Sequence, residues 1–269
     1  MILVAGGTGR LGTELVGRLL ADAQRVRVLT RDPTRVAHLP GAEVAVADLR
    51  RETDLGPALR DVDAVVSAVH GFSAWGAGPA AVDRDGNARL IRAVQRVGVP
   101  FVLLSVLGAS PTHPIELFRM KAAAEQQLRA TELPWTIVRA GAFLELYQEL
   151  LRRTAGRSGR PLVFGHGGNP ITFAAVPQVA AAVQRALGDP ACRGQIIEVA
   201  GPTMTFDELA ADVGAGRPRH VSRLVLRLLS TARGAPIGRQ AAAALVMDRY
   251  DMTSGAGTAP TRREALPDR

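Results

Sequence analysis

The sequence has 269 residues, of which 47% are hydrophobic and 22% charged, so it can bury a substantial core and is not typical of a disordered chain. The formal net charge is +8, but most of the excess comes from the part after residue 216, which contains ten arginines and four acidic residues. Because aromatic residues make up only 4% and no zinc-finger spacing occurs, we expect no binding to nucleic acid.

Several features suggest a reducing, cytoplasmic compartment. The chain opens with MILVAGGTG, where a short apolar run meets a glycine turn, so no secretory leader is predicted. No apolar run reaches the roughly 18 residues that a membrane span needs. The single cysteine, Cys192, has no partner for an internal disulfide, which fits a reducing environment. We therefore expect a cytoplasmic protein.

Short apolar runs alternate with helix-like segments through the first half of the chain. The predicted strands are 2–5, 26–29, 44–47, 62–69, 99–104 and 135–139. The segments between them carry apolar residues at helical spacing, including one near 114–132. Such alternation is typical of a parallel sheet covered by helices on both faces. The sequence thus predicts a doubly wound α/β fold over about residues 1–142.

After about residue 142 the alternation weakens, and a smaller second lobe is predicted. Residues 143–252, with an alanine-rich helix near 177–188, are assigned mainly to this lobe, while the strand near 195–200 is the segment that can return to the main sheet. A capping box, Thr205 with Glu208, predicts the start of another helix. Residues 253–269 lack periodicity and are predicted to form a loose terminus.

The motif GGTGRLG follows the first predicted strand and opens the first predicted helix. Glycines suit such a turn because the backbone must approach a pyrophosphate closely and the helix must pack against the strand. The helix N-terminus then favours the bound anion. This context predicts dinucleotide binding, although the spacing is not G-x-G-x-x-G. The predicted contacts in the loop are Gly6, Thr8, Gly9, Arg10, Leu11 and Gly12.

The end of the second predicted strand, VLTRDPTR, indicates which dinucleotide binds. An acidic residue that contacts the ribose 2′-hydroxyl of NAD is expected about 20 residues past the glycines. Arg31 lies there instead, with Arg35 one turn later, and guanidinium groups pair well with a 2′-phosphate. NADP(H) is therefore favoured over NAD(H). Asp32 leaves NAD open if the strand extends one residue further. Arg10 is either a second phosphate ligand or a solvated side chain.

Six segments carry a resemblance to a known family. They are GGTGRLG (6–12), TRDP (30–33), VADL (46–49), DRDGNARLIRAV (83–94), LLSV (103–106) and TIVRAGAFLE (136–145). Together they resemble the NmrA-like, atypical short-chain dehydrogenase/reductase group over about residues 1–210. The resemblance implies a Rossmann fold that binds NAD(P), with the later residues shaping a substrate pocket.

In that superfamily a serine after the fifth strand and a Tyr-x-x-x-Lys pair carry the chemistry. The resemblance places Ser105 at the serine position and Lys121 at the lysine position, with Leu117 where the tyrosine would be. Some atypical reductases are thought to use this lysine without the tyrosine. Lys121 is the single lysine among 33 basic residues. A lysine can contact ribose hydroxyls and also exchange a proton, which arginine cannot. The alternative is a surface lysine that survived an arginine-rich coding bias.

The resemblance also implies contacts along the cofactor. Asp48 and Leu49 are similar to the family's adenine-contacting pair, although a plain turn aspartate is the alternative. Ala68, Val69 and His70 follow the fourth predicted strand, where the family's backbone passes over the cofactor.

Three other polar residues are weaker candidates. His113 lies just before the Lys121 helix and could donate a proton to a substrate. His166, in FGHGG, has a similar but less favoured role, and Asn87 is equally compatible with a buried helix amide. No metal site is predicted.

The segment RHVSRLVLRLLSTARG, which begins at residue 219, is predicted to form a basic amphipathic helix. A helix of this kind can lie on a membrane surface. It can equally serve as a lid over the pocket or as a dimer element, with its arginines in water. The interpretation as a lid or dimer element is preferred over a membrane-surface helix, and a homodimer is one possible assembly.

Three functions remain open, of which the first is preferred. It is an NADP(H)-dependent oxidoreductase that transfers hydride to a small carbonyl, quinone or enone, with Lys121 orienting the ribose and supplying or relaying the proton, and Ser105 binding the substrate oxygen. The second is an NADP(H)-sensing regulatory protein without turnover, which the missing tyrosine favours. The third is an epimerase or dehydratase that uses bound nucleotide without net redox change.

Overall fold

The computed structural model describes residues 1–72, 77–214, 216–232 and 236–253. The chain divides into two compact units. The first contains Met1–Glu145 and Ala174–Gly201, and the second contains Leu146–Phe173 and Pro202–Arg269. The predicted loose terminus lies, except for residue 253, outside the described residues.

Twelve strands occur in the described residues. In chain order they are β1 (Ile2–Ala5), β2 (Val26–Thr30), β3 (Glu43–Val46), β4 (Ala64–Ser67), β5 (Phe101–Val106), β6 (Trp135–Ala140), β7 (Ala142–Phe143), β8 (Leu162–Phe164), β9 (Ile171–Ala174), β10 (Gln195–Val199), β11 (Thr203–Met204) and β12 (Arg219–Val221).

Nine α-helices occur in the same ranges. They are α1 (Arg10–Ala21), α2 (Gly56–Leu59), α3 (Asp85–Gln95), α4 (Glu116–Arg129), α5 (Leu144–Ala155), α6 (Val176–Gly188), α7 (Phe206–Val213), α8 (Arg223–Ser230) and α9 (Pro236–Met247).

The first unit is built on a seven-stranded parallel sheet with the order β10-β6-β5-β4-β1-β2-β3. The central strands β1 and β4 read ILVA and AVVS and are buried throughout, as expected for a sheet covered on both faces. The chain runs outward from β1 to β3 and then resumes on the other side of β1 with β4. Ligands bind at such a switch point, at the carboxyl ends of the strands. The predicted doubly wound Rossmann fold is confirmed.

Two apolar cores lie on the two faces of this sheet. One contains Leu15 and Val16 of α1 together with Val179 of α6. The other contains Leu90 of α3 and Leu128 of α4. The helical spacing of the apolar residues in the sequence therefore corresponds to the faces that the helices bury.

Residues 174–201 belong to the first unit. The sequence pattern predicts 143–252 mainly for the second lobe, with the strand near 195–200 able to return to the main sheet. The apolar face of α6 packs with α1 on one face of the main sheet. Strand β10 then pairs with β6 in register from Gln195 opposite Thr136 to Val199 opposite Ala140. An alanine-rich amphipathic pattern reports that a helix has a buried face but not which element covers it.

The second unit contains short strand pairs and helices. Strands β8 and β12 are parallel, and β9 and β11 are antiparallel. Helix α7 begins at the predicted capping box, in which Thr205 accepts from the Glu208 N–H and the Glu208 carboxylate accepts from the Thr205 N–H. This prediction is confirmed.

Helix α8 presents part of its apolar surface outward. Leu224 and Leu228 are 73% and 72% exposed, whereas Leu226 is buried. Within the described ranges, no helix combines the length and apolar character needed to cross a bilayer. The interpretations of this helix as a lid, a dimer element or a membrane-surface helix stay predictions.

Candidate functional site

The glycine loop between β1 and α1 is tightly packed. Gly6 has a φ of +84°, and a Cβ at this position would lie 2.6 Å from the Ala68 carbonyl oxygen. A Cβ on Gly12 would lie 2.1 Å from the Gly6 carbonyl oxygen, and the Gly9 N–H donates to that same oxygen at 3.0 Å. Only glycine fits at these two positions without moving backbone.

The N-terminus of α1 faces this loop without a side-chain cap from the described residues. Gly9 is the N-cap residue, and the first turn contains no acidic side chain. The first N–H groups of an α-helix have no partner within the helix, and its N-terminal end carries partial positive charge. An anion is therefore favoured there. Leu11 is buried below this turn.

Three exposed arginines, Arg10, Arg31 and Arg35, lie on the glycine loop and just after β2. The Arg35 guanidinium donates to the Thr8 carbonyl oxygen at 3.3 Å, which ties this arginine to the glycine loop. Asp32 instead accepts from the N–H and the hydroxyl of Thr34, at 3.0 and 2.6 Å, and caps a short 3₁₀ turn. The carboxylate is thus engaged locally, while the arginines border the loop.

Asp48 and Leu49 follow β3. The Arg50 guanidinium donates to both carboxylate oxygens of Asp48, and these hydrogen bonds lower the pKa of Asp48 to about 2. Leu49 is buried, and its carbonyl oxygen accepts from Arg89 at 3.1 Å. The Asp48 side chain is therefore already paired, so an adenine contact here would involve the backbone or Leu49.

The segment after β4 passes beside the glycine loop. The Ala68 N–H donates to the Ala5 carbonyl oxygen at 2.8 Å, and the Ala68 carbonyl lies against Gly6. The Val69 carbonyl oxygen accepts from the Lys121 ammonium, and the His70 side chain is exposed. The structure thus brings Ala68 and Val69 together with Gly6 and Lys121.

Lys121 lies on the buried face of α4 and is only 2% exposed. Its Nζ donates to the carbonyl oxygens of Val69 and Leu104, at 3.0 Å each, and lies 3.0 Å from Asp83 Oδ1. The alternative of an isolated surface lysine is wrong. Sequence reasoning missed Asp83, although it begins the DRDGN motif that carried the family resemblance.

Ser105, near the end of β5, belongs to a buried polar network with Glu125 of α4. Its hydroxyl donates to the carboxylate of Glu125, which is 3% exposed. Arg139 of β6 binds both oxygens of that carboxylate, with distances of 3.0 and 2.6 Å. The hydroxyl that was predicted to bind a substrate oxygen is thus committed to Glu125. Glu125 and Arg139 were missed, although Glu125 follows Lys121 by one helical turn.

His113 and Leu117 flank the start of α4, and both are buried. The His113 ring stacks on Phe118 with centroids 4.0 Å apart, and its Nδ1 accepts from the Ile115 N–H at 3.0 Å. Burial lowers the pKa of His113 to about 4, and the nearby positive charge of Arg119 acts in the same direction. The imidazole is therefore neutral at pH 7, with its proton on Nε2.

We expect this histidine to make stability depend on pH. An unfolded His113 protonates near pH 6.5, whereas the folded residue stays neutral down to about pH 4. The stabilising contribution of the neutral histidine to the free energy of unfolding is therefore complete above pH 6.5 and is lost as the pH falls to about 4. The expected loss is about 2 to 3 kcal/mol. Urea unfolding between pH 7 and 4 measures it.

His113→Asn is the matched control for this measurement, because its amide oxygen can still accept from the Ile115 N–H but does not titrate. The wild type should lose more stability than this variant on acidification. Equal losses would contradict the prediction.

The remaining predicted site residues, Asn87 and His166, make other contacts. Asn87 is fully buried, donates to the Asp83 carbonyl oxygen and accepts from the Ser67 hydroxyl, so it is a buried helix amide, and a functional role stays a prediction. His166 belongs to the second unit, where its N–H donates to Asp248. Within the described residues, no cluster of three or more His, Cys, Asp or Glu side chains could hold a metal ion.

The sequence matches the NAD(P)H-binding family over residues 6–187. This span includes the glycine loop, the arginines after β2 and Lys121. The chain therefore belongs to the NAD(P)H-binding family, within the NmrA-like, atypical short-chain dehydrogenase/reductase group.

Two similar proteins align with most of the chain. NAD(P)H azoreductase of Xenophilus azovorans is 32% identical over 247 residues, which are 88% of this chain and 81% of that protein. The (4-alkanoyl-5-oxo-2,5-dihydrofuran-3-yl)methyl phosphate reductase of Streptomyces griseus subsp. griseus is 30% identical over 272 residues, or 98% and 92% of the two chains.

A solved structure shares the fold. The NADPH-dependent quinone oxidoreductase of Escherichia coli, complexed with NADPH, has a TM-score of 0.72 at 23% identity. The match covers 94% of this chain and 92% of that one.

Proposed function

We propose that this protein is an NADP(H)-dependent reductase that transfers hydride to a small carbonyl, quinone or enone. The observation that carries the proposal is the glycine cradle bordered by arginines at the end of β2. Asp32, the carboxylate that would favour NAD, is occupied by Thr34. Two relatives that match most of the chain are named as reductases, which supports the reaction class.

The residues present fit a dinucleotide. A Cβ at Gly6 or Gly12 would clash with the backbone of Ala68 or of the loop itself, so the tight turn that a dinucleotide-binding loop needs depends on these glycines. The α1 N-terminus would hold the pyrophosphate, and Arg31 and Arg35 would hold a 2′-phosphate. Lys121, at the carboxyl ends of β4 and β5, would orient the nicotinamide ribose.

Hydride is the chemistry that a bound reduced nicotinamide supplies. The protein's part is to hold cofactor and acceptor in contact and to polarise the acceptor oxygen. Two carbonyl oxygens and Asp83 already hold the Lys121 side chain in place, so cofactor binding would cost little further side-chain entropy. We propose Lys121 as the source or relay of the proton, because His113 is neutral at pH 7 and carries no imidazolium proton to transfer. Ser105 has no role in this proposal because its hydroxyl binds Glu125.

Removing the arginines after β2 tests the cofactor preference. In Arg31→Ala and Arg35→Ala we expect NADPH to bind about ten- to a hundredfold more weakly, because charge-assisted hydrogen bonds to the 2′-phosphate are lost. NADH binding should change little. Fluorescence titration of both nucleotides measures the difference.

Arg96→Ala is the control, since Arg96 is an exposed arginine at the C-terminal end of α3. Equal weakening of NADPH and NADH in the two test variants would point to a general charge effect and would remove the support for NADP preference.

A second candidate is an NADP(H)-sensing protein without turnover. The buried Leu117 at the tyrosine position and the engagement of Ser105 by Glu125 favour it. NADPH binding with no turnover of any acceptor would support this candidate. Nucleotide retained through catalysis without net consumption would instead favour an epimerase or dehydratase.

A further inference from the structure

Asp83 is a buried carboxylate with no access to solvent. It lies in a π-helical turn, Ala80–Arg84, directly before α3. A π turn widens the helix locally and is frequent at functional sites. A buried carboxylate needs a counter-charge and hydrogen bonds to remain ionised.

The two oxygens of Asp83 have different partners. Oδ2 accepts from the Gly71 N–H at 2.9 Å. Oδ1 accepts no regular hydrogen bond from the described residues, and its counter-charge is the Lys121 ammonium 3.0 Å away. Asp83 therefore holds both the lysine and the backbone that follows β4.

Lys121 connects Asp83 to the carboxyl ends of β4 and β5, where the cofactor is proposed to bind. Its ammonium contacts Leu104 at the end of β5 and Val69 after β4. The neighbouring residue Ala68 lies against Gly6 of the glycine loop. The ion pair thus links the π turn before α3, and helix α4, to the segment 68–71, which borders the glycine loop.

The shape of this environment explains a lysine in an arginine-rich chain. The oxygens come from a carboxylate and two backbone carbonyls on three different elements. A compact ammonium with three rotatable N–H groups can approach all of them, whereas the planar guanidinium fork cannot. Because Lys121 and Asp83 are almost completely buried, a longer, planar group would also have to displace its neighbours.

We propose that Asp83 is a positioning residue for the cofactor site, acting through Lys121. It fixes the ammonium where the ribose would bind and holds segment 68–71 beside the glycine loop. A buried ion pair contributes little net stability compared with apolar packing, so a positioning role gives a reason for its presence. The inference rests on the proposed function in that this edge binds NADPH.

A double-mutant cycle in NADPH affinity tests the proposal. The variants are Asp83→Asn, Lys121→Met and the double variant, each titrated by NADPH fluorescence after thermal denaturation has checked its folding. Asp83→Asn should weaken NADPH binding about tenfold in the wild-type background. In the Lys121→Met background it should have less than about a twofold effect. An asparagine oxygen can still accept from the Gly71 N–H, so the substitution removes only the charge that acts through the lysine.

Two further variants complete the test. Asp85→Asn is the matched control two residues along, where the carboxylate pairs with Arg84 at the surface, and it should leave NADPH affinity unchanged. Lys121→Arg keeps the charge but not the geometry and should also weaken binding about tenfold. This variant decides the question if Asp83→Asn does not fold.

Equal effects of Asp83→Asn in both backgrounds, or full NADPH affinity in Lys121→Arg, would overturn the proposal. NADPH binding without turnover would contradict only the proposed reductase function, because the double-mutant cycle measures NADPH affinity and not catalysis. Turnover without coupling between the two residues would contradict this inference alone. A wild type that does not bind NADPH would contradict both.

Discussion

Replacement of Gly12 by alanine is expected to weaken NADPH binding about a hundredfold. The added Cβ would lie 2.1 Å from the Gly6 carbonyl oxygen and 2.6 Å from the Gly7 Cα. Both are backbone atoms, so the loop itself must move, and overpacking of this kind costs about 1 to 3 kcal/mol or more. The cradle at the α1 N-terminus would then lose its shape. Fluorescence titration with NADPH measures the change.

Gly17→Ala is the matched control because it makes the same substitution in the same helix. Among the described residues, nothing beyond the adjacent helix backbone would lie within 4 Å of a Cβ at this position. Alanine is favoured over glycine inside a helix by about 0.5 to 1 kcal/mol. This variant should bind NADPH normally and melt slightly higher. Normal binding in Gly12→Ala would show that the loop does not hold the nucleotide.

Replacement of Glu125 by alanine is expected to lower the free energy of unfolding by about 3 kcal/mol. The buried carboxylate accepts from Ser105 and from two nitrogens of Arg139. Without it, the buried Ser105 hydroxyl loses its partner, and the largely buried Arg139 guanidinium keeps only the more exposed Glu198 carboxylate, 3.7 Å away. Buried polar and charged groups that lose a partner are strongly destabilising. Urea unfolding at pH 7 gives the difference directly.

Gln127→Ala, at an exposed position on the same helix, controls for the change in side-chain size and helix propensity. It should shift the free energy of unfolding by no more than about 0.5 kcal/mol. A similarly small shift in Glu125→Ala would mean that the network seen between β5, α4 and β6 contributes little.

The nucleotide-binding half could be predicted because its signals are local. The run ILVA, the glycine loop and the apolar spacing of Leu15 and Leu19 lie next to one another in the chain, and each dictates its own backbone or buried face. The capping box at Thr205 was predictable for the same reason. No packing information was needed for these features.

The surroundings of Ser105 could not be predicted in this way. Its position at the end of β5 suggested a role at the strand end. Its side chain points to the same side of the sheet as Leu103, however, where α4 places Glu125. Alternation along a strand gives the relative side of each residue but not which helix covers that side.

The Asp83–Lys121 pair was missed for a different reason. The two residues are separated by strand β5 and its connections, so no spacing rule relates them. The π turn that places Asp83 has no known residue signature in the sequence, where it reads as ordinary helix. The same limit explains why helix α6 was assigned with the second lobe, because its apolar pattern reports burial but not the element that covers it.

The most direct test of the proposed function is oxidation of NADPH by the wild type, followed by the absorbance of the reduced nicotinamide. Quinones, enones and aldehydes serve as acceptors, NADH as the comparison, and Gly12→Ala as the variant with an impaired cradle. We predict turnover with at least one acceptor, faster with NADPH than with NADH, and lost in Gly12→Ala. NADPH binding without oxidation by any acceptor would contradict the reductase proposal and favour the sensing function.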